Sequence, residues 1–202
     1  MLATAKKYDE FDDDCLVRWA IQGDNGAQSE LVSRFMPRVW RIVYLNAGAE
    51  SDVEDLVQTA MMTTLENLSS YRGPSKFKFW LDRLTINVIR THFRKNKIRR
   101  LFFSQVDPDE AVVPNPHNDY RQLEAQQLFQ KLSGHLSKIA TKNRMALVLS
   151  MIHGYQAKEI AEIVDCSTEA AWKRTKRGYD ELMSRISRDV ELDQSLKELF
   201  HA

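Results

Sequence analysis

The sequence predicts an all-α protein with two helical domains joined by an extended linker, and three observations lead to this prediction. Glycine and proline are scarce, with 7 and 5 residues among 202, so few tight turns of the kind that connect short strands are expected. Apolar residues recur at helical spacing in both halves of the chain. Between those halves, residues 101–122 hold three of the five prolines and show no sustained period, as a linker would.

These patterns divide the chain into four parts. We predict a first helical domain over residues 1–100, the linker over 101–122, a second helical domain over 123–188 and an acidic C-terminal tail over 189–202. The apolar residues of the tail are spaced as in a short amphipathic helix; they are Leu192, Leu196, Leu199 and Phe200.

Two helices are predicted in the middle of the first domain. Residues 27–47 carry an apolar face at helical spacing, and Pro37 inside that run should kink or divide the helix. Gly48 to Ser51 reads as a turn, after which Ser51 and Glu54 form the pattern of a capping box. An apolar face then continues to about residue 68.

A third helix is predicted from Ser75 to about Arg100. On a helical wheel, Phe77, Leu81, Leu84 and Val88 form one stripe that should face the core. A basic stripe lies opposite; it consists of Arg83, Arg90, Arg94 and Lys97.

The net charge of +1 hides an uneven distribution. Residues 71–100 carry ten basic side chains and one acidic side chain, and residues 136–188 carry ten basic and six acidic ones. The rest of the chain is acidic. Two separate basic segments indicate a polyanionic partner, and their helical ordering argues against a merely solvated surface.

The second basic segment contains a predicted helix–turn–helix over residues 156–178. Residues 156–164 form a short helix with Ile160, Ala161 and Val164 inward, and Asp165 to Ser167 form the turn, with Ser167 as N-cap. The second helix runs from 168 to 186 and packs through Ala171, Thr175, Gly178 and Leu182. Its opposite side is basic, as expected for a helix that enters the major groove of DNA.

Both domains resemble the extracytoplasmic-function (ECF) type of bacterial RNA polymerase sigma factor. Residues 52–58 (DVEDLVQ) match the acidic signature of sigma region two, and residues 77–85 (FKFWLDRLT) match its aromatic and basic run. Residues 144–182 resemble region four. The likeness covers roughly residues 16–100 and 123–186, in the family's order.

The resemblance implies a fold, a function and a set of contact residues. It implies a sigma factor that binds core RNA polymerase at its clamp helices and flap and directs promoter recognition, melting and initiation. The polymerase would be bound by Asp52, Asp55 and Gln58. The unwound −10 element would be held by Tyr71, Arg72, Lys78, Phe79, Trp80, Arg83, Asn87, Arg90, Arg94 and Lys97. The −35 duplex would be read by Ala170, Trp172, Lys173, Arg174 and Arg177.

The recognition helix departs from the family pattern. Glu169, Ala170 and Trp172 stand where the family usually has Gly, Thr and Lys, and Gly178 stands in place of Ala. Asp165 occupies a turn position that is often Gly, which requires a residue tolerant of the left-handed region. These differences leave the −35 sequence of its promoters open.

Phe79 allows two interpretations. It lies on the basic stripe, where the family usually has a small residue, so it either packs under the Tyr71–Pro74 loop or on another helix, or offers a stacking surface to an unwound base. Trp80, on the border of the stripe, is expected from the resemblance to contact DNA.

Three other functions were weighed against this one. Asp52, Glu54 and Asp55 could form a nuclease metal cluster, but acidic residues are expected in a first helical turn. The five histidines form no HxxxH or HExxH pair, and Cys15 has no recognisable catalytic partner, so we expect no enzyme activity, cofactor or metal. A two-domain helix–turn–helix regulator that acts without core polymerase is the serious alternative.

The sequence also predicts a cytoplasmic location. No apolar run approaches the ~18 residues of a membrane span, and the N-terminus carries no apolar signal segment. The two cysteines, Cys15 and Cys166, are isolated, as is usual in a reducing compartment. Control by an anti-sigma factor or another regulator is implied by the family alone.

Overall fold

The computed structural model describes residues 7–47, 52–73, 76–102, 120–190, 192 and 194, with the side chains of 97–102 and 120–126 left out. These residues form eight α-helices and two short 3₁₀ turns, without a strand among them. The all-α prediction is therefore confirmed. The helices are α1 (Asp13–Ile21), α2 (Asn25–Ala47), α3 (Val53–Glu66), α4 (Phe77–Phe102), α5 (Tyr120–Ser137), α6 (Thr141–His153), α7 (Ala157–Val164) and α8 (Thr168–Ile186).

Helices α1 to α4 pack together as the N-terminal half, with α2 at its centre. The predicted apolar face of α2 is buried at Leu31, Phe35, Val39 and Ile42. Helix α2 contacts α1, α3 and α4, so burial of its apolar stripe ties the other three together. Arg34 fastens the segment before α1 to α2, since its guanidinium donates to the Phe11 carbonyl at 2.8 Å and to Asp13 at 3.1 Å.

Two local predictions for this half need correction. Pro37 was predicted to kink or divide α2; the helix runs without interruption through Pro37, so the second of these alternatives, division, is wrong. Proline removes one backbone hydrogen bond, and the buried face on both sides of it keeps the helix in one piece. The N-cap of α3 is Asp52 and its side chain makes no capping hydrogen bond, whereas a Ser51 capping box was predicted. Gly48 to Ser51 lie outside the described residues.

The buried face of α4 also differs from the predicted one. Phe77 and Leu81 are buried, but Leu84 and Val88 are only half-buried. The fully buried residues of α4 continue instead around the helix through Asp82, Thr85, Ile86 and Ile89. The helical wheel predicted a single core-facing stripe for α4. The helix instead packs against α2 and α3 on one side and α7 on another.

The C-terminal half consists of α5 to α8, and α6 and α8 lie closest together within it. A Cβ atom built on Gly178 of α8 would come within 2.9 Å of the Asn143 carbonyl oxygen and 3.1 Å of the Leu147 Cβ of α6. Only glycine therefore allows this spacing without a shift of backbone. The predicted packing face is confirmed, since Ala171 and Leu182 are also buried.

The two halves pack against each other where α2 meets α5 and α6 and where α4 meets α7. Helix α5 lies on α2, where the Phe129 ring stacks on Tyr44 and Trp40 with centroids 5.2 and 6.0 Å apart. Helix α7 lies on α4, where the Arg90 Nη1 donates to the Val164 carbonyl at 3.2 Å. The buried apolar residues of both halves accordingly form one connected core.

The start of the C-terminal tail is attached to α5. Asp189 lies 2.8 Å from the Nε2 of His135, and Leu192 is fully buried. The hydrogen bond from His135, together with one from the Leu192 backbone N–H, lowers the pKa of Asp189. Leu196, Leu199, Phe200 and residues 103–119 of the predicted linker lie outside the described part of the chain.

The close approach of α6 and α8 gives a stability prediction. Replacing Gly178 by Ala should reduce the free energy of unfolding by about 1–2 kcal/mol, because the new methyl group overlaps backbone and outweighs the helix propensity of alanine. In the control, Gly134→Ala on α5, no atom lies within 4 Å of the new Cβ, so that variant should gain about 0.5–1 kcal/mol. Chemical denaturation of both variants measures the difference, and equal effects of one sign would contradict it.

Candidate nucleic-acid interface

An acidic surface lies on the outer side of α3. Asp55 and Gln58 are exposed, and the side chain of Asp52 is 42% exposed at the helix N-terminus. The Asp52 carboxylate lies 3.4 Å from the Nε2 of His92, which ties the start of α3 to α4. The structure thus brings the three predicted polymerase-binding residues to one accessible end of the N-terminal half.

A basic face lies on α4. Arg83, Asn87, Arg90 and Arg94 are exposed and follow one another at intervals of three or four residues, so they share one side of the helix. Lys97 belongs to α4, but its side chain lies outside the described residues. The predicted basic stripe is present at its described positions.

Three aromatic rings pack together at the start of α4. The Trp80 ring lies 5.6 Å from those of Tyr71 and Phe77, and Tyr71 and Trp80 are both half-buried. Burial, with a smaller contribution from the charge of Asp14, raises the pKa of Tyr71. A Trp80 held by two rings has a fixed orientation and keeps part of its surface accessible to a partner.

The remaining predicted −10 residues are more dispersed. Arg72 is exposed in the loop before α4, and Lys78 points to Asp13 of α1 at 3.3 Å. Phe79 packs against the rest of the chain, as one of its two interpretations predicted, since its ring meets that of Tyr155 edge to face at 5.7 Å. Tyr155 lies in the loop between α6 and α7, whereas the predicted partners were the Tyr71–Pro74 loop or another helix. Phe79 is therefore covered by the C-terminal half in this arrangement.

The helix–turn–helix is formed by α7, a three-residue turn and α8. Gln156 and Glu159 make a reciprocal capping box at the start of α7. Asp165 adopts the left-handed conformation with φ of 53°, and the Ser167 hydroxyl accepts a hydrogen bond from the Ala170 N–H at 3.2 Å. The predicted motif, its turn and its N-cap residue are therefore all present at their predicted positions.

The outer side of α8 carries the predicted −35 residues. Trp172, Lys173 and Arg177 are exposed, whereas Ala170 and Arg174 are half-buried. The exposed fraction of Trp172 is 56%, unusually large for a tryptophan. Lys173 forms an ion pair with Glu169, one turn earlier, at 2.6 Å.

A cleft of about 1020 Å³ separates part of α4 from the C-terminal half. Its walls combine predicted −10 residues with a predicted −35 residue and two further cations of α6; these are Asn87, Arg90, Arg94, Arg174, Lys142 and Arg144. The two predicted DNA faces therefore meet at one cleft in this arrangement. Sequence reasoning placed them in separate domains and did not anticipate their proximity.

A buried carboxylate joins the two halves. Asp82 of α4 has no exposed surface, and Arg38 of α2 donates to both of its oxygens, Nε to Oδ1 at 2.8 Å and Nη2 to Oδ2 at 2.6 Å. The Tyr155 hydroxyl donates to Oδ2 at 2.8 Å and accepts from Arg38 Nη2 at 3.2 Å. Burial, the charge of Asp82 and this hydrogen bond raise the pKa of Tyr155, so its hydroxyl stays protonated and donates.

The sequence analysis missed this cluster, although one signal was present. Asp82 is the single acidic residue among residues 71–100, and an isolated charge of opposite sign in a basic segment suggests a specific partner. Nothing in the sequence places Tyr155, which lies 73 residues away, beside it.

A buried histidine lies next to the cluster. Burial, opposed by the charge of Asp82 and aided by the charges of Arg38 and Arg41, lowers the pKa of His153 to about 4. Its buried Nε2 has no hydrogen-bond partner among the described residues. His153 is therefore neutral at physiological pH.

The described residues lack a metal-binding group and a membrane-spanning helix. No group of three or more His, Cys, Asp or Glu side chains in that part of the chain is arranged to hold a metal ion. None of the described helices combines the length and apolar character needed to cross a membrane.

An all-helical chain with a basic helix face and a helix–turn–helix is typical of nucleic-acid-binding proteins. Residues 31–99 match the family model of sigma-70 region 2. The ECF RNA polymerase sigma-E factor of Escherichia coli (strain K12) is 28% identical over 190 residues, which cover 88% of this chain and 96% of that protein. The RNA polymerase sigma factor NccH of Alcaligenes xylosoxydans xylosoxydans is 27% identical over 178 residues, covering 86% and 94%.

Two solved structures have a similar fold. CnrH, in complex with the cytosolic domain of CnrY, aligns with a TM-score of 0.63 at 22% identity over 88% of this chain and 98% of that one. The sigma factor RpoE of Bartonella quintana, in complex with the anti-sigma factor NepR, aligns with a TM-score of 0.65 at 18% identity over 79% and 96%. The chain is thus similar over most of its length to RNA polymerase sigma factors of the ECF group, and its residues 31–99 match sigma-70 region 2.

The neutral, buried His153 gives a prediction for pH dependence. In the unfolded chain its pKa is near the ordinary value of about 6.5, so the unfolded state binds more protons than the folded state between about pH 6.5 and 4. The contribution of His153 to stability is complete above this window and is lost as the pH falls through it, with a slope of at most about 1.4 kcal/mol per pH unit. Urea denaturation from pH 7.5 to 4.5 measures the slope.

The matched control is His153→Gln, which cannot take up a proton. Other titrating groups will leave some dependence on pH in both proteins. We expect the variant to show a shallower loss of stability than the wild type between pH 6.5 and 4.5. Parallel curves would contradict a lowered pKa for His153.

Proposed function

We propose that this chain is the promoter-recognition subunit that combines with core RNA polymerase and directs transcription initiation at a specific set of genes. The observation that carries the proposal is the match of residues 31–99 to sigma-70 region 2. The same chain also contains a helix–turn–helix in its C-terminal half. The function consists of binding and strand separation, without a covalent step by this chain.

The acidic end of α3 is the proposed polymerase contact. Asp52, Asp55 and Gln58 lie on its accessible side, while the apolar residues of the same helix are buried in the core. These accessible side chains can therefore meet a basic surface on the polymerase clamp helices, at little cost to folding.

The basic face of α4 is the proposed contact with the unwound −10 strand. Single strands are bound by cationic grooves with aromatic side chains on which bases stack. Arg83, Asn87, Arg90 and Arg94 supply the polar face, and the partly exposed Trp80 supplies an aromatic surface at its start. Tyr71, Arg72, Lys78, Phe79 and Lys97 remain proposed contacts of the same strand.

Helix α8 is the proposed reader of the −35 duplex, and the flap of the polymerase is the second partner of its domain. Ala170, Trp172 and Lys173 lie near its N-terminus, the part of a recognition helix that meets base edges. Arg174 and Arg177 follow on the same side of the helix.

The relatives suggest a regulator and a location. The two solved structures described above contain a sigma factor bound to the cytosolic domain of CnrY and to the anti-sigma factor NepR. We therefore propose an anti-sigma protein as a further partner of this chain, and the cytoplasm as its place of action.

Run-off transcription tests the function directly. Purified chain added to core polymerase should produce transcripts from discrete start sites on genomic templates, and core polymerase alone should not. In gel shifts at physiological salt, the free chain should not bind promoter DNA tightly, because each basic segment is small and phosphate contacts weaken with ionic strength. Nanomolar, sequence-specific binding without polymerase would instead support a helix–turn–helix regulator.

The polymerase contact gives a prediction for Asp55. Asp55→Arg should abolish retention of the chain on immobilised core polymerase, while its thermal midpoint barely moves because the side chain is exposed. The control is Glu66→Arg, the same charge reversal at the exposed C-terminal end of α3, which should retain binding. Normal retention of the Asp55 variant would remove this residue from the polymerase contact.

The −35 contact gives a prediction for α8. Replacing Arg174 and Arg177 by Ala should weaken binding by about 1–3 kcal/mol for each contact to a base, with relaxed sequence preference, or flatten the salt dependence if the contacts are to phosphates. Initiation from promoters that depend on the −35 element should fall. Initiation from a pre-melted template should be unaffected. The control is Arg188→Ala, an exposed arginine beyond the end of α8. Unchanged transcription from −35-dependent promoters would exclude α8 as the reader.

A further inference from the structure

An apolar stripe lies exposed along α8. Its members are Trp172, Tyr179 and Met183, whose exposed fractions are 56%, 49% and 42%. They follow one another at intervals of seven and four residues, which places them in one row on the same side of the helix. Single exposed apolar residues are ordinary on a protein surface, whereas a row of three large ones on one helix indicates an interaction surface.

Two opposite charges accompany this stripe. Lys176 lies in the same row, four residues after Trp172 and three residues before Tyr179. Asp180 lies beside the row, and its Oδ2 is 3.8 Å from the Nζ of Lys176. Both charged side chains are more than half exposed, so they remain accessible to a partner that covers the stripe.

The row is complementary to its own reverse. Two α8 helices that pair antiparallel, about an axis midway between Lys176 and Tyr179, place Trp172 opposite the partner's Met183. The same axis places Lys176 opposite the partner's Tyr179 and beside the partner's Asp180. A thioether on an indole, an ammonium on a phenol ring and a lysine beside an aspartate are all favourable contacts. Parallel pairing would instead place each residue opposite its own copy, so like charges would meet.

We propose that this stripe binds a second copy of the chain, so that the protein forms an antiparallel α8–α8 dimer. The occupant is a second copy because one row supplies both members of every contact: sulfur and indole, ammonium and ring, cation and carboxylate. A standard interface involves roughly 20–30 residues a side, far more than this row offers, so we expect a reversible dimer with a micromolar dissociation constant. The inference goes beyond the proposed function and does not depend on it.

Sedimentation equilibrium of the full chain across the micromolar range measures the dimer. The mass of the wild type should rise with concentration from that of one chain to that of two. Trp172→Ala removes the largest apolar side chain of the row and should raise the dissociation constant roughly tenfold or more. The control is Met62→Ala, at a methionine of α3 that is 54% exposed and lies outside the row; it should match the wild type. A wild type that stays monomeric, or a dimer that Trp172→Ala leaves unchanged, would overturn the proposal.

An exchange of charges tests the antiparallel register. Asp180→Lys and Lys176→Asp each bring like charges together across the axis, so each variant alone should dimerise more weakly than the wild type. An equal mixture of the two should recover the dimer, because each variant then supplies the charge that the other lacks. Both positions are exposed, so circular dichroism should show both variants folded. A mixture that dimerises no better than its separate components would exclude this register.

Run-off transcription remains a separate measurement, so the two proposals can fail independently. A chain that dimerises through this row but yields no transcripts with core polymerase would keep the dimer and contradict the proposed function. A chain that yields transcripts but stays monomeric at every concentration would keep the function and overturn the dimer.

Discussion

The burial of one carboxylate, Asp82, links α4 both to α2 and to the C-terminal half. Its side chain lies in a helix that is otherwise basic, and a charge without exposed surface is stable only with close partners. Arg38 satisfies it from α2 and Tyr155 from the C-terminal half. The register of α4 on α2 and the position of the loop that precedes the helix–turn–helix are thereby fixed by the same two oxygen atoms.

The helices were predictable because their signals are local. The helix–turn–helix was located from spacing, and the structure confirms its turn and the Ser167 cap, since short-range hydrogen bonds decide them. The α4 core stripe was misplaced because a wheel assumes a single partner, whereas α4 contacts the core on two sides. Pro37 was expected to kink or divide α2, and it does not divide the helix because burial on both sides of it outweighs one lost hydrogen bond.

The candidate site was predictable residue by residue but not as an arrangement. Exposure of Asp55, Arg83 and Trp172 follows from their positions on amphipathic helices. That Phe79 meets Tyr155, or that Arg174 shares a cleft with Arg90, depends on how two halves dock. Docking is determined by contacts between residues far apart in sequence, and such contacts produce no periodic pattern in the sequence.

The glycine at position 178 has a consequence for how the proposed DNA specificity of α8 can change. It lets α8 approach α6 more closely than any residue with a side chain would, from the side facing away from the proposed DNA surface. The depth at which α8 would sit in a groove then depends on how closely it packs on α6. Alteration of one residue behind the helix would re-aim every base-contacting side chain together, so specificity can evolve without any substitution among the residues that read the sequence.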